Sequence, residues 1–172
     1  MEKWKQIAEI WNQLRFVELS YKLEAGMPMP TDLSKYYHDL WSSYELGDSC
    51  LSYQLILNEH TGTHVDAPAH MLGKESGAHI FLTDNPAAKY SFPCAIICCP
   101  KEEKQSIQIE DIVHWEQTHG CIRAGEGVFF CTDWEKRWKI YDPTQAFLKN
   151  APGLSAEAAM YLIRERSCCS WH

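Results

Sequence analysis

His60-Thr61-Gly62-Thr63-His64-Val65-Asp66-Ala67-Pro68-Ala69-His70 is the stretch from which the rest of the chain can be read. It gathers three histidines and an aspartate on a short, glycine-containing segment. Neutral imidazole nitrogens and a carboxylate oxygen are donors that suit Zn²⁺, Mn²⁺ or Fe²⁺. Two His and one Asp leave coordination positions open for water, as a catalytic site needs. In a straight strand the four steps from His60 to His64 would span about 13 Å, too far for one ion. The chain must therefore curl, and Gly62 is where it can. Once curled, positions 60, 64, 66 and 70 can face one cavity, with Val65, Ala67 and Ala69 packed behind. Thr61 and Thr63 can donate side-chain hydrogen bonds to nearby carboxylates or backbone. The plainer alternative is a set of polar side chains decorating a loop. Their density at the end of a strand weighs against it. The segment is not H-E-x-x-H, which excludes zincin chemistry, and neither G-x-S-x-G nor a P-loop occurs in the chain.

Working outward, residues 50–58 place Leu51, Tyr53, Leu55 and Leu57 on one face and Ser52, Gln54 and Asn58 on the other, with Ile56 as the exception. This alternation predicts a strand with one face in the core, running straight into the histidine segment. The breaker cluster Gly26-Met27-Pro28-Met29-Pro30 predicts that 24–50 is mostly loop. Tyr36, Tyr37, Trp41 and Tyr44 in that loop either line an apolar pocket or cover a core edge. Phe16 to Ser20 reads as a short strand. Trp4, Ile7, Trp11 and Leu14 recur at helical spacing and predict an amphipathic helix over 3–15.

On the C-terminal side, 94–99 (CAIICC) reads as a fully apolar strand and 107–116 as a short helix. Gly125-Glu126-Gly127 is a turn feeding a strand over 128–132. Ser155 is a plausible N-cap for a helix to about Arg166, with Glu157 in its first turn and Arg164 and Arg166 near its negative end. Strands and helices are mixed without regular βαβ alternation, so the fold class is mixed α/β, in one domain over 1–172.

Composition sets the outer limits. The chain has 172 residues, 45% hydrophobic and 23% charged, enough to bury a core without staples. Lys plus Arg is 16 against 23 Asp plus Glu, a formal charge of −7. An acidic chain without a basic cluster argues against nucleic-acid binding. No apolar run reaches the roughly 18 residues of a membrane span, and the N-terminus does not read as a secretory signal. Eight cysteines form no C-x-x-C pair. They read as reduced thiols in the cytoplasm, several of them serving as small core hydrophobes.

The histidine segment resembles the H-x-G-T-H-x-D-x-P-x-H signature of the cyclase family, which includes kynurenine formamidases and isatin hydrolases. Each defined position is present: His60, Gly62, Thr63, His64, Asp66, Pro68 and His70. The likeness extends to Val17-Glu18-Leu19-Ser20 with Gly26-Met27-Pro28. It also covers Gly125-Glu126-Gly127-Val128 through Thr132-Asp133-Trp134, and Pro152-Gly153-Leu154-Ser155 through Ala158-Ala159.

The resemblance implies a swivelling β/β/α fold and a homodimer or higher homo-oligomer. It implies His60, His64 and Asp66 as ligands to Zn²⁺ or Mn²⁺, in one or two ions that Asp66 can bridge, and His70 as the general acid/base. The implied activity is metal-dependent hydrolysis of an amide C–N bond in a small-molecule substrate. N-formylkynurenine comes first, cleaved to kynurenine and formate in tryptophan catabolism, with a cyclic amide such as isatin as the alternative. Aromatics of 36–44 could stack on such a ring. Family members continue after the last helix with a strand, a His and a Glu. Residues 167–172 do not match that pattern, and His172 does not take the distal role. The resemblance therefore predicts a domain incomplete after about 166, and as a second reading a non-catalytic remnant.

Overall fold

Residues 94–98 carry a parallel sheet at the centre of the molecule. The computed structural model describes residues 2–165. Expectations placed on Arg166, Cys168, Cys169 and His172 lie outside the described residues. The elements in chain order are α1 (Glu2–Gln13), β1 (Tyr37–Ser42), β2 (Ser52–Ile56), α2 (Pro68–Met71), β3 (Cys94–Cys98) and β4 (Ser106–Ile107). They are followed by α3 (Ile109–His119), β5 (Gly127–Cys131), β6 (Gly153–Leu154) and α4 (Ala156–Glu165). The mixed α/β class is as the sequence predicts.

β3 and β5 pair in parallel, Cys94 facing Gly127 and Cys98 facing Cys131, with α3 between them in the chain. The ladder continues past the strands, where the Cys99 N–H donates to the Cys131 carbonyl. Side chains alternate across a strand, so Ala95 and Ile97 point inward while Ile96 stands outward. The inward set packs with Ile107, Ile112, Ile122 and Ala158 into the main core, against Trp115 of α3 and Leu162 of α4. The outer face is open: Ile96 is 53% and Phe129 56% exposed. The apolar strand expected over 94–99 is thus present, with one face buried and the other open. α4 begins as the sequence predicts, with the Ser155 hydroxyl accepting from the Ala158 N–H.

The N-terminal half departs further from expectation. α1 forms, but Trp4, Ile7, Trp11 and Leu14 are all exposed. No strand forms over 16–20, since a strand needs a partner and none pairs with this segment among the described residues. The segment from 24 to 50 is mostly loop, as expected, with one strand inside it. That strand, β1, pairs antiparallel with β2 in the register Tyr37 to Ile56. Tyr53 and Leu55 are exposed on this ribbon, so the predicted core face of 50–58 is uncovered among the described residues. A second small core gathers Met27, Met29 and Tyr36 against Leu33, Trp138 and Ile140.

Cys50, Cys94, Cys98, Cys99, Cys121 and Cys131 are free thiols. Cys99 alone among them is buried, which corrects the expectation of several core cysteines. Burial pushes the Cys99 thiol above its ordinary range, and partial desolvation together with the neighbouring Cys98 does the same to Cys131, which makes both poorer nucleophiles. Among the described residues no helix is long and apolar enough to cross a membrane.

Candidate metal centre

The chain leaves β2 at Ile56 and turns back on itself within a few residues. Thr61 N–H donates to the Asn58 carbonyl, and the Asn58 N–H donates to the Thr61 hydroxyl oxygen. Gly62 then takes φ +65°, the left-handed region that favours glycine. This is the curl that the ligand spacing requires. The Tyr21 N–H donates to the Thr63 hydroxyl oxygen at 3.0 Å and ties the far side of the curl to the preceding segment. Both threonines thus hold backbone, but as acceptors rather than the donors the sequence suggested.

Space around Gly62 is tight. A Cβ there would lie 2.8 Å from Leu23 Cδ2 and 3.2 Å from Met27 Cε. Those atoms end flexible side chains and can shift, so the left-handed backbone sets most of the penalty, about 1–2 kcal/mol. Gly62→Ala is expected to lower metal affinity at least several-fold while the chain stays folded. Competition with a chromogenic chelator measures it, and an unchanged affinity would show that the curl does not set the ligand geometry.

The curl brings His60, His64 and Asp66 together. His60 Nδ1 lies 3.2 Å from His64 Nε2 and 3.0 Å from Asp66 Oδ1, and His64 Nε2 lies 3.4 Å from the same oxygen. His64 Nδ1 sits 2.8 Å from the Gly62 carbonyl, which can only accept, so Nδ1 carries the proton and Nε2 presents a lone pair. Three acceptor atoms then converge on one point. A single proton on His60 Nδ1 cannot satisfy both of its neighbours, and it leaves the His64 lone pair facing a carboxylate oxygen. A cation resolves the conflict. Separations of 3.0–3.4 Å are close enough for the three donors to share one divalent ion. The donor set therefore fits a divalent transition metal. His60 is 18% exposed, while Asp66 is 49% exposed, so the triangle is approached from the carboxylate side.

His70 sits in α2, whose first residue is Pro68, a residue suited to a helix start. The Ala69 N–H donates to the Ile80 carbonyl and pins α2 against the following segment. The His70 ring centroid lies 4.3 Å from that of His60. Positions 60, 64, 66 and 70 thus face one cavity, of about 730 Å³, as the spacing predicts. Val65, Ala67 and Ala69 line this cavity too, which corrects the expectation that they pack behind it.

The sequence reading missed four residues here. Glu59 places Oε1 3.9 Å from His60 Nε2 and joins His60 and His70 in a second potential ligand group. Its position next to the first histidine was the available signal. Phe81, Leu82 and Thr83 also line the cavity. Tyr36, Tyr37, Trp41 and Tyr44 do not line the metal cavity, so the aromatic ring available to a substrate there is Phe81. Tyr36 is instead in the small core.

The chain is similar to known proteins. A family model described as "Putative cyclase" matches residues 17–170. Isatin hydrolase from Roseibium aggregatum is 32% identical over 122 residues, which is 65% of this chain and 45% of the relative. The match thus spans less than half the length of that curated protein. The crystal structure of an isatin hydrolase bound to the product analogue thioisatinate superposes with a TM-score of 0.78 at 28% identity, covering 96% of this chain and 71% of that one. Isatin hydrolase A from Ralstonia solanacearum gives 0.72 at 26% identity, with 96% and 68% covered.

Proposed function

Since the chain belongs to the cyclase family, we propose that it is a metal-dependent hydrolase of an amide C–N bond, with a cyclic aryl amide of the isatin type as substrate. The observation that carries this reading is the convergence of His60 Nδ1, His64 Nε2 and Asp66 Oδ1 within 3.0–3.4 Å beside the His70 ring. These three residues would hold the ion, Zn²⁺ or Mn²⁺. A divalent cation held there would supply Lewis acidity, polarising a carbonyl and lowering the pKa of a bound water far below that of bulk water, toward about 7.

The chain's own groups do the rest. His70 takes the proton of the attacking water and delivers it to the leaving amine nitrogen as the C–N bond breaks. Phe81 offers a face for the aryl ring, and Leu82 and Val65 exclude water around it. The isatin-type substrate is favoured because the similar proteins described above carry that activity in their names. N-formylkynurenine has a scissile bond of the same kind and is the competing substrate.

The test is direct. The purified chain, loaded in turn with Zn²⁺ and Mn²⁺, is assayed for hydrolysis of isatin and of N-formylkynurenine. Isatin turnover that disappears with a chelator and returns with metal is the expected result. Turnover unaffected by chelation would overturn the metal role, and a preference for N-formylkynurenine would overturn the substrate assignment. Light scattering on the same sample reads the oligomeric state. The uncovered apolar side chains of α1 and the β1–β2 ribbon favour a homodimer, and a monodisperse monomer would exclude it.

A further inference from the structure

A second cavity, of about 590 Å³, lies between residues 25–37 and 139–147 and shares no lining residue with the metal cavity. Its volume is that of a small-molecule site. Four independent features mark it. Tyr36 lines it and is only 7% exposed, yet its phenol has no hydrogen-bond partner among the described residues. A buried hydroxyl without a partner is uncommon and calls for a ligand or water. Lys35 and Lys139, both exposed, also line the cavity; neither ammonium is within ion-pair distance of a carboxylate among the described residues, although Lys139 acts at longer range on Asp142. Asp142 is the acidic group in the lining. Its two oxygens accept from the Thr144 hydroxyl and from the Thr144 and Ala146 N–H groups, which together with the charge of nearby Lys139 hold its carboxyl below the usual range.

The walls are also strained into place. Tyr141 and Gln145, both in the lining, have φ of +55° and +51° without being glycine. Such residues persist where the surroundings over-determine them, and they concentrate at ligand sites. The Tyr141 N–H donates to the Gly26 carbonyl at 2.7 Å, and its ring lies so close that a Cβ on Gly26 would be 2.6 Å from it. One wall is thus locked to the other. The apolar part is supplied by Met27, Met29 and Phe147, soft and aromatic groups that suit a flat ring.

We propose that this cavity binds a small aromatic carboxylate, its ring among the methionines and Phe147, and its carboxylate on the Tyr36 hydroxyl and the two lysines. The site is separate from the metal centre and does not depend on the activity proposed there.

Calorimetric titration of the 172-residue chain with benzoate at low salt tests it. One saturable site is expected, with benzamide, the neutral counterpart, at least tenfold weaker. Lys35→Ala/Lys139→Ala should weaken benzoate at least tenfold. Tyr36→Phe should weaken it several-fold without lowering thermal stability, because the hydroxyl it removes has no protein partner. His60→Ala/His64→Ala should bind benzoate as the unsubstituted chain does. Absence of saturable binding, equal affinity for benzamide, or loss in the histidine variant with retention in the lysine variant would each overturn the assignment. The benzamide comparison needs no substitution, so it decides the charge requirement even if a variant folds poorly.

Discussion

Replacing His70 by alanine is expected to lower amide hydrolysis by about 10²–10⁴-fold while the metal content stays unchanged. The reasoning is geometric. His60, His64 and Asp66 already form a closed triangle of donors, and His70 stands beside it, one ring away from His60. Loss of a proton carrier costs rate, whereas loss of a triangle corner costs the ion. His64→Ala should therefore release metal and rate together. Metal analysis after gel filtration, paired with initial rates, separates the two. If His70→Ala loses its metal, the histidine is a ligand and Glu59, the third member of its group, becomes the candidate base.

The second large effect lies in the scaffold. Lys101 Nζ contacts both oxygens of Asp111, at 2.8 and 2.7 Å, with the two side chains 14% and 21% exposed. Asp111 also accepts from the Gln108 N–H and so caps the start of α3. Burial by itself would raise the Asp111 carboxyl. The hydrogen bond from Lys101, the Gln108 N–H and the lysine charge outweigh it and hold the carboxyl below its usual value. Lys101→Met leaves a mostly buried carboxylate with one N–H partner and should cost about 2 kcal/mol at pH 7, out of a whole-domain stability of about 5–15 kcal/mol. Because the folded-state pKa is depressed, the contribution is complete above the unfolded value of about 3.9 and is lost as pH falls through the folded one. Urea unfolding of the two proteins should therefore show a gap at pH 7 that narrows below about pH 4. A gap independent of pH would mean that packing of the lysine stem, not its charge, is what the substitution removes.

What the sequence made legible was local. The curl at Gly62, the strand over β3, the helix α3 and the Ser155 cap of α4 each follow from short-range rules, and each is present. Pairing was not legible. FVELS has strand-forming residues but no partner, whereas Tyr37 to Ser42, with its aspartate and histidine, looked like loop and forms a strand because Ser52 to Ile56 pairs with it. Alternation in 50–58 marked two faces without saying what covers either. At the metal cavity the four polar groups fall on one motif, so spacing found them. Phe81 and Leu82 arrive from a later segment held by the Ala69 to Ile80 hydrogen bond, and no periodicity links them to His70.

The parallel pairing of β3 with β5 and of β4 with β6 also governs how the chain reaches this structure. Closing these ladders brings together residues roughly 30 and 50 positions apart, while the antiparallel β1–β2 ribbon closes over a short span. Hairpins form in about 1–10 μs, but non-local pairing must first meet its loop-closure entropy. The helix α3, which spans the gap between β3 and β5, shortens the search only once it has formed. The expected order is therefore ribbon and helices early, parallel ladders last. The interval between is when Ile97 and Ile112, both fully buried at the end, are open to intermolecular contact, and refolding yield should fall as protein concentration rises.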